Sequence, residues 1–278
     1  MNIYDIKAKA KSVLANRDNV MGVFIFISVL TTVVTFLAQL SPILGMVLLI
    51  LMLPFPHGYV VTALKVVNEY GDDVSIENEG LTGFKRYKEL FFTYFIQELF
   101  LFIIIILISL VFFLFAKLFV SDSVVNGIEA LLMQASLNST GIDAYFGNLI
   151  VNQTFLTFGL GLFLWLFVIL GAAVIYSLVF ALTPFVLEKY KITGAKAMSE
   201  SARLMKGHKK TLFLLQLSYV GWYLLVILIV GIIQVIIPSS LITDLIMAVL
   251  MAYLVTSRMK TCIAVMFEEI DLEDKNII

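Results

Sequence analysis

The chain has 278 residues, of which 61% are hydrophobic and only 14% are charged, and its formal net charge is −1. A soluble domain carries roughly 25% charged residues, so these few charges could not cover the surface of a water-soluble fold, which excludes a soluble protein. The single cysteine, Cys262, excludes an internal disulfide framework and a metal cluster built from cysteines.

Residues 1–18 are charged and carry apolar residues at helical spacing. Ile3, Ile6, Ala10 and Leu14 fall on one helix face, and basic residues occupy the remainder. The pattern predicts a short amphipathic cytoplasmic helix. Two interpretations fit it: the helix lies on an anionic membrane surface, or it is an ordinary solvated helix before a membrane span. The apolar run that follows is too long for a cleavable signal peptide, so we expect it to be retained.

Six apolar segments follow, and each is long enough to cross a bilayer. At about 1.5 Å per residue, about 20 helical residues cover a hydrocarbon core of about 30 Å. The sequence therefore predicts an all-α fold, a polytopic membrane helix bundle of about six transmembrane helices with short amphipathic cytoplasmic helices. We expect a single membrane domain over residues 1–278 with spans at about 19–40, 42–68, 91–119, 154–187, 211–237 and 240–265, and an acidic cytoplasmic tail at 266–278.

The distribution of lysine and arginine predicts the orientation of these spans. Basic residues are concentrated before span one, between spans two and three, between spans four and five, and near the C-terminus, whereas residues 118–188 contain none. Short cytoplasmic loops are enriched in lysine and arginine. We therefore expect a multi-pass protein of a bacterial cytoplasmic membrane with both termini in the cytoplasm.

The second predicted span is interrupted by Pro54, Pro56 and Gly58, with His57 beside them. Prolines remove backbone donors and break a helix, and at membrane depth such a break is tolerated only against protein or water. The break either lines a polar path in which His57 carries a proton, or it is a kink that turns the chain toward the cytoplasm. In the second interpretation, His57 is hydrogen-bonded to a neighbouring carbonyl group.

Glu98 lies about two turns into the third predicted span. A carboxylate inside a membrane is costly and is a functional candidate by default, but Glu98 also fits a side chain that reaches the headgroups or pairs with a lysine. Gln216 lies at a similar level in span five. His57, Glu98 and Gln216 would together form an intramembrane polar path if the three side chains met.

The segment Lys206-Gly207-His208-Lys209-Lys210 precedes the fifth span and marks a change from basic to apolar sequence. Gly207 fits the position just after a helix end, where a left-handed backbone costs little only for glycine. The segment is therefore predicted to be a helix–hinge–helix elbow at the inner leaflet. Its residues contact lipid headgroups or another anionic ligand, act as a hinge, or only anchor the fifth span through their positive charge.

Residues around this elbow resemble a known family. The relevant stretches are Ser201-x-x-Leu-Met-Lys-Gly-His-Lys209, Leu212-Phe213, Leu217-Ser-Tyr-Val-Gly-Trp222 and, more weakly, the Gly83-Phe84-Lys85 region. They are similar to the bacterial membrane proteins catalogued as domain of unknown function 975. The resemblance implies an integral membrane protein of Firmicutes-like bacteria and supplies no established biochemical activity.

Motifs for hydrolytic or nucleotide chemistry are missing from the sequence, which has no Gly-x-Ser-x-Gly, no phosphate-binding loop and no His-Glu-x-x-His. We therefore expect a non-enzymatic protein with no catalytic residue, no metal, no cofactor and no nucleic-acid partner. The preferred function is an accessory or protective role that involves binding membrane lipids, a peptide, a membrane-protein partner or a second copy of the chain. The alternative is a small transporter or channel-like protein with a polar path near the broken second span.

Overall fold

The computed structural model describes residues 2–15, 17–68, 71–119 and 153–275. Within these ranges the regular elements are all helical. The predicted all-α class and the number of spans are confirmed, because six stretches of helix are apolar and long enough to cross a membrane. They are Asp18–Ala38, Pro42–Val67, Tyr87–Lys117, Gly159–Tyr190, Lys209–Ile236 and Ser240–Lys275. Residues 276–278 of the predicted acidic tail lie outside the described residues.

The helices are numbered here in chain order. Between α4 and α5 the chain also forms a 3-10 turn, Gly71–Asp73, and a π-helical turn, Ile76–Gly80. The α-helices are α1 Ile3–Leu14, α2 Asp18–Ala38, α3 Pro42–Met52, α4 His57–Val67, α5 Thr82–Lys85, α6 Tyr87–Phe119, α7 Gln153–Val179, α8 Thr183–Tyr190, α9 Ala195–Leu204, α10 Lys209–Leu217, α11 Val220–Ile236, α12 Ser240–Met251 and α13 Ser257–Lys275.

Four of the six candidate spans in the described residues consist of two consecutive helices. In the second, the α-helix stops between α3 and α4, where Pro54 and Pro56 lie. In the fourth, α8 begins with Pro184 in its first turn, a position that proline favours because the missing N–H has no partner there. In the sixth, a π-helical turn, Ala252–Thr256, separates α12 from α13.

The chain divides into two compact units, Met1–Gln97 with Leu178–Ile278, and Glu98–Ser177. The second unit is held together by aromatic rings on α6 and α7. The ring centroids of Phe112 and Trp165 lie 5.7 Å apart, and those of Phe100 and Tyr176 lie 6.2 Å apart. Most other apolar side chains of this unit are exposed, as expected for helices whose solvent is lipid.

The core of the first unit is built around α1, α4 and α13. The side-chain oxygen of Asn2 accepts a hydrogen bond from the Tyr4 N–H at 3.1 Å and so caps α1. The predicted apolar face of α1, represented by Ile6, Ala10 and Leu14, is buried, and α1 packs against α13 and α4. Because protein covers this face, it is not available for insertion into a bilayer.

Candidate functional site

The break in the second candidate span is held by close contact between backbones. A Cβ atom on Gly83 would lie 2.5 Å from the Pro54 carbonyl oxygen and 2.4 Å from the Phe55 Cα atom. A Cβ atom on Gly58 would lie 2.6 Å from the Glu79 carbonyl oxygen. Glycine is therefore required at both positions, because a side chain at either one would push residues 79–83 away from residues 54–58.

His57 begins α4 and is completely buried, at 0% exposure. Its Nδ1 lies 2.8 Å from the Tyr94 hydroxyl oxygen, and its Nε2 lies 3.0 Å from Glu188 Oε2. A neutral ring protonated on Nε2 satisfies both contacts, because Nε2–H donates to the carboxylate and Nδ1 accepts from the hydroxyl group. Both ring nitrogens are engaged by the protein, which fixes the orientation of the imidazole.

Glu188 is the centre of this arrangement. Its Oε2 also accepts a hydrogen bond from Arg86 Nη1 at 2.6 Å, and its Oε1 accepts one from Lys191 Nζ at 2.8 Å. Arg86 in turn donates through Nε and Nη2 to the two oxygens of Glu89, at 2.9 and 2.5 Å. We call His57, Tyr94, Arg86, Glu89, Glu188 and Lys191 the His57 cluster.

The charges of the His57 cluster balance, with two cations, Arg86 and Lys191, facing two carboxylates, Glu89 and Glu188. Paired charges are what a partly buried polar site requires, since an unpaired one would be strongly destabilising. The hydrogen bonds to Glu89 first, and then to Glu188, raise the pKa of the Arg86 guanidinium above its ordinary value. The cluster therefore connects α4, the start of α6 and the end of α8 through ion pairs and hydrogen bonds.

The other residues predicted for a polar path are Gln216 and Glu98. Gln216 is a partly exposed residue of α10, and the contacts of His57 go to Tyr94 and Glu188 instead. Glu98 is exposed on α6 and belongs to the second unit. The proposal that His57, Glu98 and Gln216 form one path stays a prediction.

Sequence reasoning singled out His57 and missed Glu188 and Arg86, its electrostatic partners. Both lie at the ends of spans, where flanking charges are ordinary. The sequence did indicate that His57 has a polar partner, because a histidine inside a membrane span needs one. The sequence could not identify which one, because Glu188 lies 131 residues away.

A second ion cluster holds the acidic C-terminal segment. Asp271, 1% exposed, accepts hydrogen bonds from Lys189, Lys275 and Tyr190, and Lys189 also contacts Glu268. These contacts fasten the end of α13 to α8. Residues 266–275 of the predicted tail thus belong to α13, and Glu268 and Asp271 hold this part of the helix against α8.

The predicted elbow, residues 206–210, connects α9 to α10. Ser201 connects α9 to the chain just before α8. Its Oγ donates to the Val179 carbonyl oxygen and accepts from the Leu182 N–H, both at 3.1 Å. Gly207 has a φ angle of +93°, where a Cβ atom would meet nothing within 4 Å, so backbone strain alone favours glycine here. Lys206, Lys209 and Lys210 are exposed and His208 is half-buried.

The described residues suggest no metal site, because no three histidine, cysteine or acidic side chains among them come close enough to hold an ion.

The family described as Protein of unknown function (DUF975) matches residues 1–246 of the chain. The His57 cluster, the break before α4 and the elbow all lie inside this range. Comparison with curated proteins and with solved structures found no match. The family description states no activity.

Proposed function

This chain belongs to the DUF975 family, and on that premise we propose that it is a non-enzymatic accessory protein that binds anionic lipids of a bacterial cytoplasmic membrane. Its termini lie in the cytoplasm, and the elbow at residues 206–210 is a lipid-contacting surface. The observation that carries this proposal is the exposure of Lys206, Lys209 and Lys210 at the start of a candidate span.

The contacts of the first unit support this orientation. Two segments that the charge pattern assigns to the cytoplasm contact each other, because Arg203 donates to both oxygens of Asp274 at 2.8 and 2.7 Å. Lys7 Nζ of α1 donates to Ser218 Oγ, in the first part of the fifth span, at 3.1 Å. Arg17 Nη1 donates to the Val66 carbonyl oxygen at 3.4 Å. The basic ends of several spans are therefore gathered together, as a single cytoplasmic face requires.

The elbow has the properties of a surface for anionic headgroups. Each lysine near a negatively charged membrane surface contributes about 1 kcal/mol to its attraction. The buried side of α9 fixes the backbone that leads into the elbow, so little backbone freedom of that helix is lost on binding. Transport has less support, because both ring nitrogens of His57 and both oxygens of Glu188 are engaged within the protein.

Spin-labelled lipids test this role. The full chain is reconstituted in phosphatidylcholine vesicles, and electron spin resonance measures how strongly spin-labelled phosphatidylglycerol associates relative to spin-labelled phosphatidylcholine. We expect a preference for phosphatidylglycerol that falls in a Lys209→Gln/Lys210→Gln variant. Lys196→Gln, which removes an exposed lysine from the start of α9, is the matched control and should change the preference less. A wild-type protein without any preference would refute the proposed function.

A further inference from the structure

A concave site of about 570 Å³ lies between α1, the start of α2, the corner between α10 and α11, and the start of α13. This volume falls within the roughly 300–1,000 Å³ that is common for small-molecule sites. The site is distinct from the elbow, which lies at the opposite end of α10. We call it the α1 groove.

The α1 groove is strongly cationic. Its walls include Lys7, Lys11, Arg17 and Arg258, against a single carboxylate, Asp18. In the described residues none of these four cations forms an ion pair with a carboxylate. Elsewhere in the first unit, by contrast, Arg86, Lys189 and Arg203 are each paired twice. The groove therefore concentrates positive charge that the protein itself leaves uncompensated, and an anion is the complementary ligand.

Aromatic rings hold two of these cations in place. Lys7 Nζ lies 4.8 Å from the centroid of the Tyr219 ring, and the Arg258 guanidinium lies 5.6 Å from the centroid of the Trp222 ring. Tyr253 forms a further wall. Such contacts limit the motion of a long basic side chain while leaving its hydrogen-bond donors available, which suits a site that receives an anionic group.

The position of the groove indicates where the anion comes from. Two candidate spans are apolar from this point on: α2 begins at Asp18, and α11 begins at Val220, directly after Tyr219. Tyrosine and tryptophan are enriched at the headgroup level of membranes, where one end of the ring is wet and the other is apolar. This composition favours a position of the groove at the headgroup level, where lipid phosphates lie.

We propose that the α1 groove binds the phosphate group of an anionic phospholipid from the cytoplasmic leaflet. Arg17 and Arg258 supply planar donors that suit phosphate oxygens, and Lys7 and Lys11 add charge. The aromatic walls contact the glycerol part of the lipid. The inference rests on the proposed lipid-binding function, but it depends on residues that the elbow does not use.

Native mass spectrometry of the full chain in detergent can test the groove. Dioleoyl-phosphatidylglycerol is titrated against wild type, a Lys11→Gln/Arg258→Gln variant and the Lys209→Gln/Lys210→Gln elbow variant, with dioleoyl-phosphatidylcholine as the neutral lipid. We expect the groove variant to weaken the tightest phosphatidylglycerol site by about 30-fold and the elbow variant to leave it within a few fold. Lys11→Gln alone, at an exposed position that folding tolerates, should weaken it about 5-fold.

Each outcome has a separate meaning. Unchanged affinity for phosphatidylglycerol in Lys11→Gln and in Lys11→Gln/Arg258→Gln would refute lipid binding in the α1 groove. This holds whether or not the elbow variant loses binding. Equal affinity of wild type for the two lipids overturns the proposed function as well. Inorganic phosphate is added as a competitor: if millimolar phosphate displaces the lipid, the groove takes free phosphate and the lipid assignment is wrong. Retained lipid under these conditions supports it.

Discussion

His57 Nε2 lies 3.0 Å from Glu188 Oε2, although 131 residues separate them in the chain. The contact joins the broken second candidate span to the C-terminal end of the fourth. Because Glu188 also binds Arg86 and Lys191, one carboxylate connects three parts of the first unit. The break at Pro54 and Pro56 is packed against protein, and its backbone groups are bonded in tight turns, such as His57 N–H to the Pro54 carbonyl oxygen at 3.1 Å, as an interrupted helix at membrane depth requires.

Replacing this carboxylate should destabilise the protein. Glu188→Gln keeps the shape of the side chain but removes the charge that Arg86 and Lys191 share, and we expect a loss of about 2 kcal/mol in the free energy of unfolding. Unfolding by sodium dodecyl sulfate, followed by circular dichroism, measures it. Glu89→Gln is the control, since within the described part of the chain Glu89 pairs only with Arg86 and is 39% exposed, so it should cost less than about 1 kcal/mol. Equal losses would show that Glu188 has no central role.

The second prediction concerns Gly83, whose backbone lies against the backbone of Pro54 and Phe55. In Gly83→Ala, the new Cβ atom would lie 2.4 Å from Phe55 Cα, so the two segments must separate, and we expect a loss of about 2–3 kcal/mol. Gly231→Ala is the matched control because it lies inside α11 with nothing within 4 Å of the added atom. It should be neutral or slightly stabilising, because alanine is the better helix former. The same unfolding assay compares the two, and a tolerated alanine at Gly83 would contradict the close packing.

The packed acidic segment gives a third prediction. Asp271→Asn weakens the contacts with Lys189, Lys275 and Tyr190. It should lower the free energy of local unfolding of the end of α13 by about 2 kcal/mol. Hydrogen exchange followed by mass spectrometry should show faster exchange in the C-terminal peptide. The control, Asp274→Asn, alters a pair with Arg203 in which both side chains are partly exposed, at 51% and 30%, so its effect should be small. Unaltered exchange in Asp271→Asn would mean that packing alone holds the helix end.

The features predictable from the sequence are those encoded by neighbouring residues. The apolar runs predicted the number of spans because uncharged runs of this length are typical of helices that cross a bilayer. The special role of Gly207 was predictable because the requirement for a left-handed backbone after a helix end is local. Its φ angle of +93° agrees with that expectation.

Features that depend on packing could not be obtained in this way. Gly58 was interpreted as a helix breaker, yet its small size is needed because the Glu79 carbonyl oxygen comes so close. The acidic residues after 265 were interpreted as a tail because the sequence does not show that Lys189 lies beside Asp271. The α1 groove combines residues near the start of the chain with residues between 219 and 258, and only the folded arrangement brings them together.

The proposed orientation can be tested by cysteine labelling in intact cells. The native Cys262 is fully buried, so background reaction with a membrane-impermeant maleimide should be low. Ser240→Cys lies at the exposed first residue of α12, on the side assigned to the exterior, and should react in intact cells. Lys196→Cys lies at an exposed position of α9, on the side assigned to the cytoplasm, and should react only after the membrane is permeabilised. Reaction of both positions in intact cells would place them in one compartment, and the cytoplasmic assignment of the elbow and of the α1 groove would then be wrong.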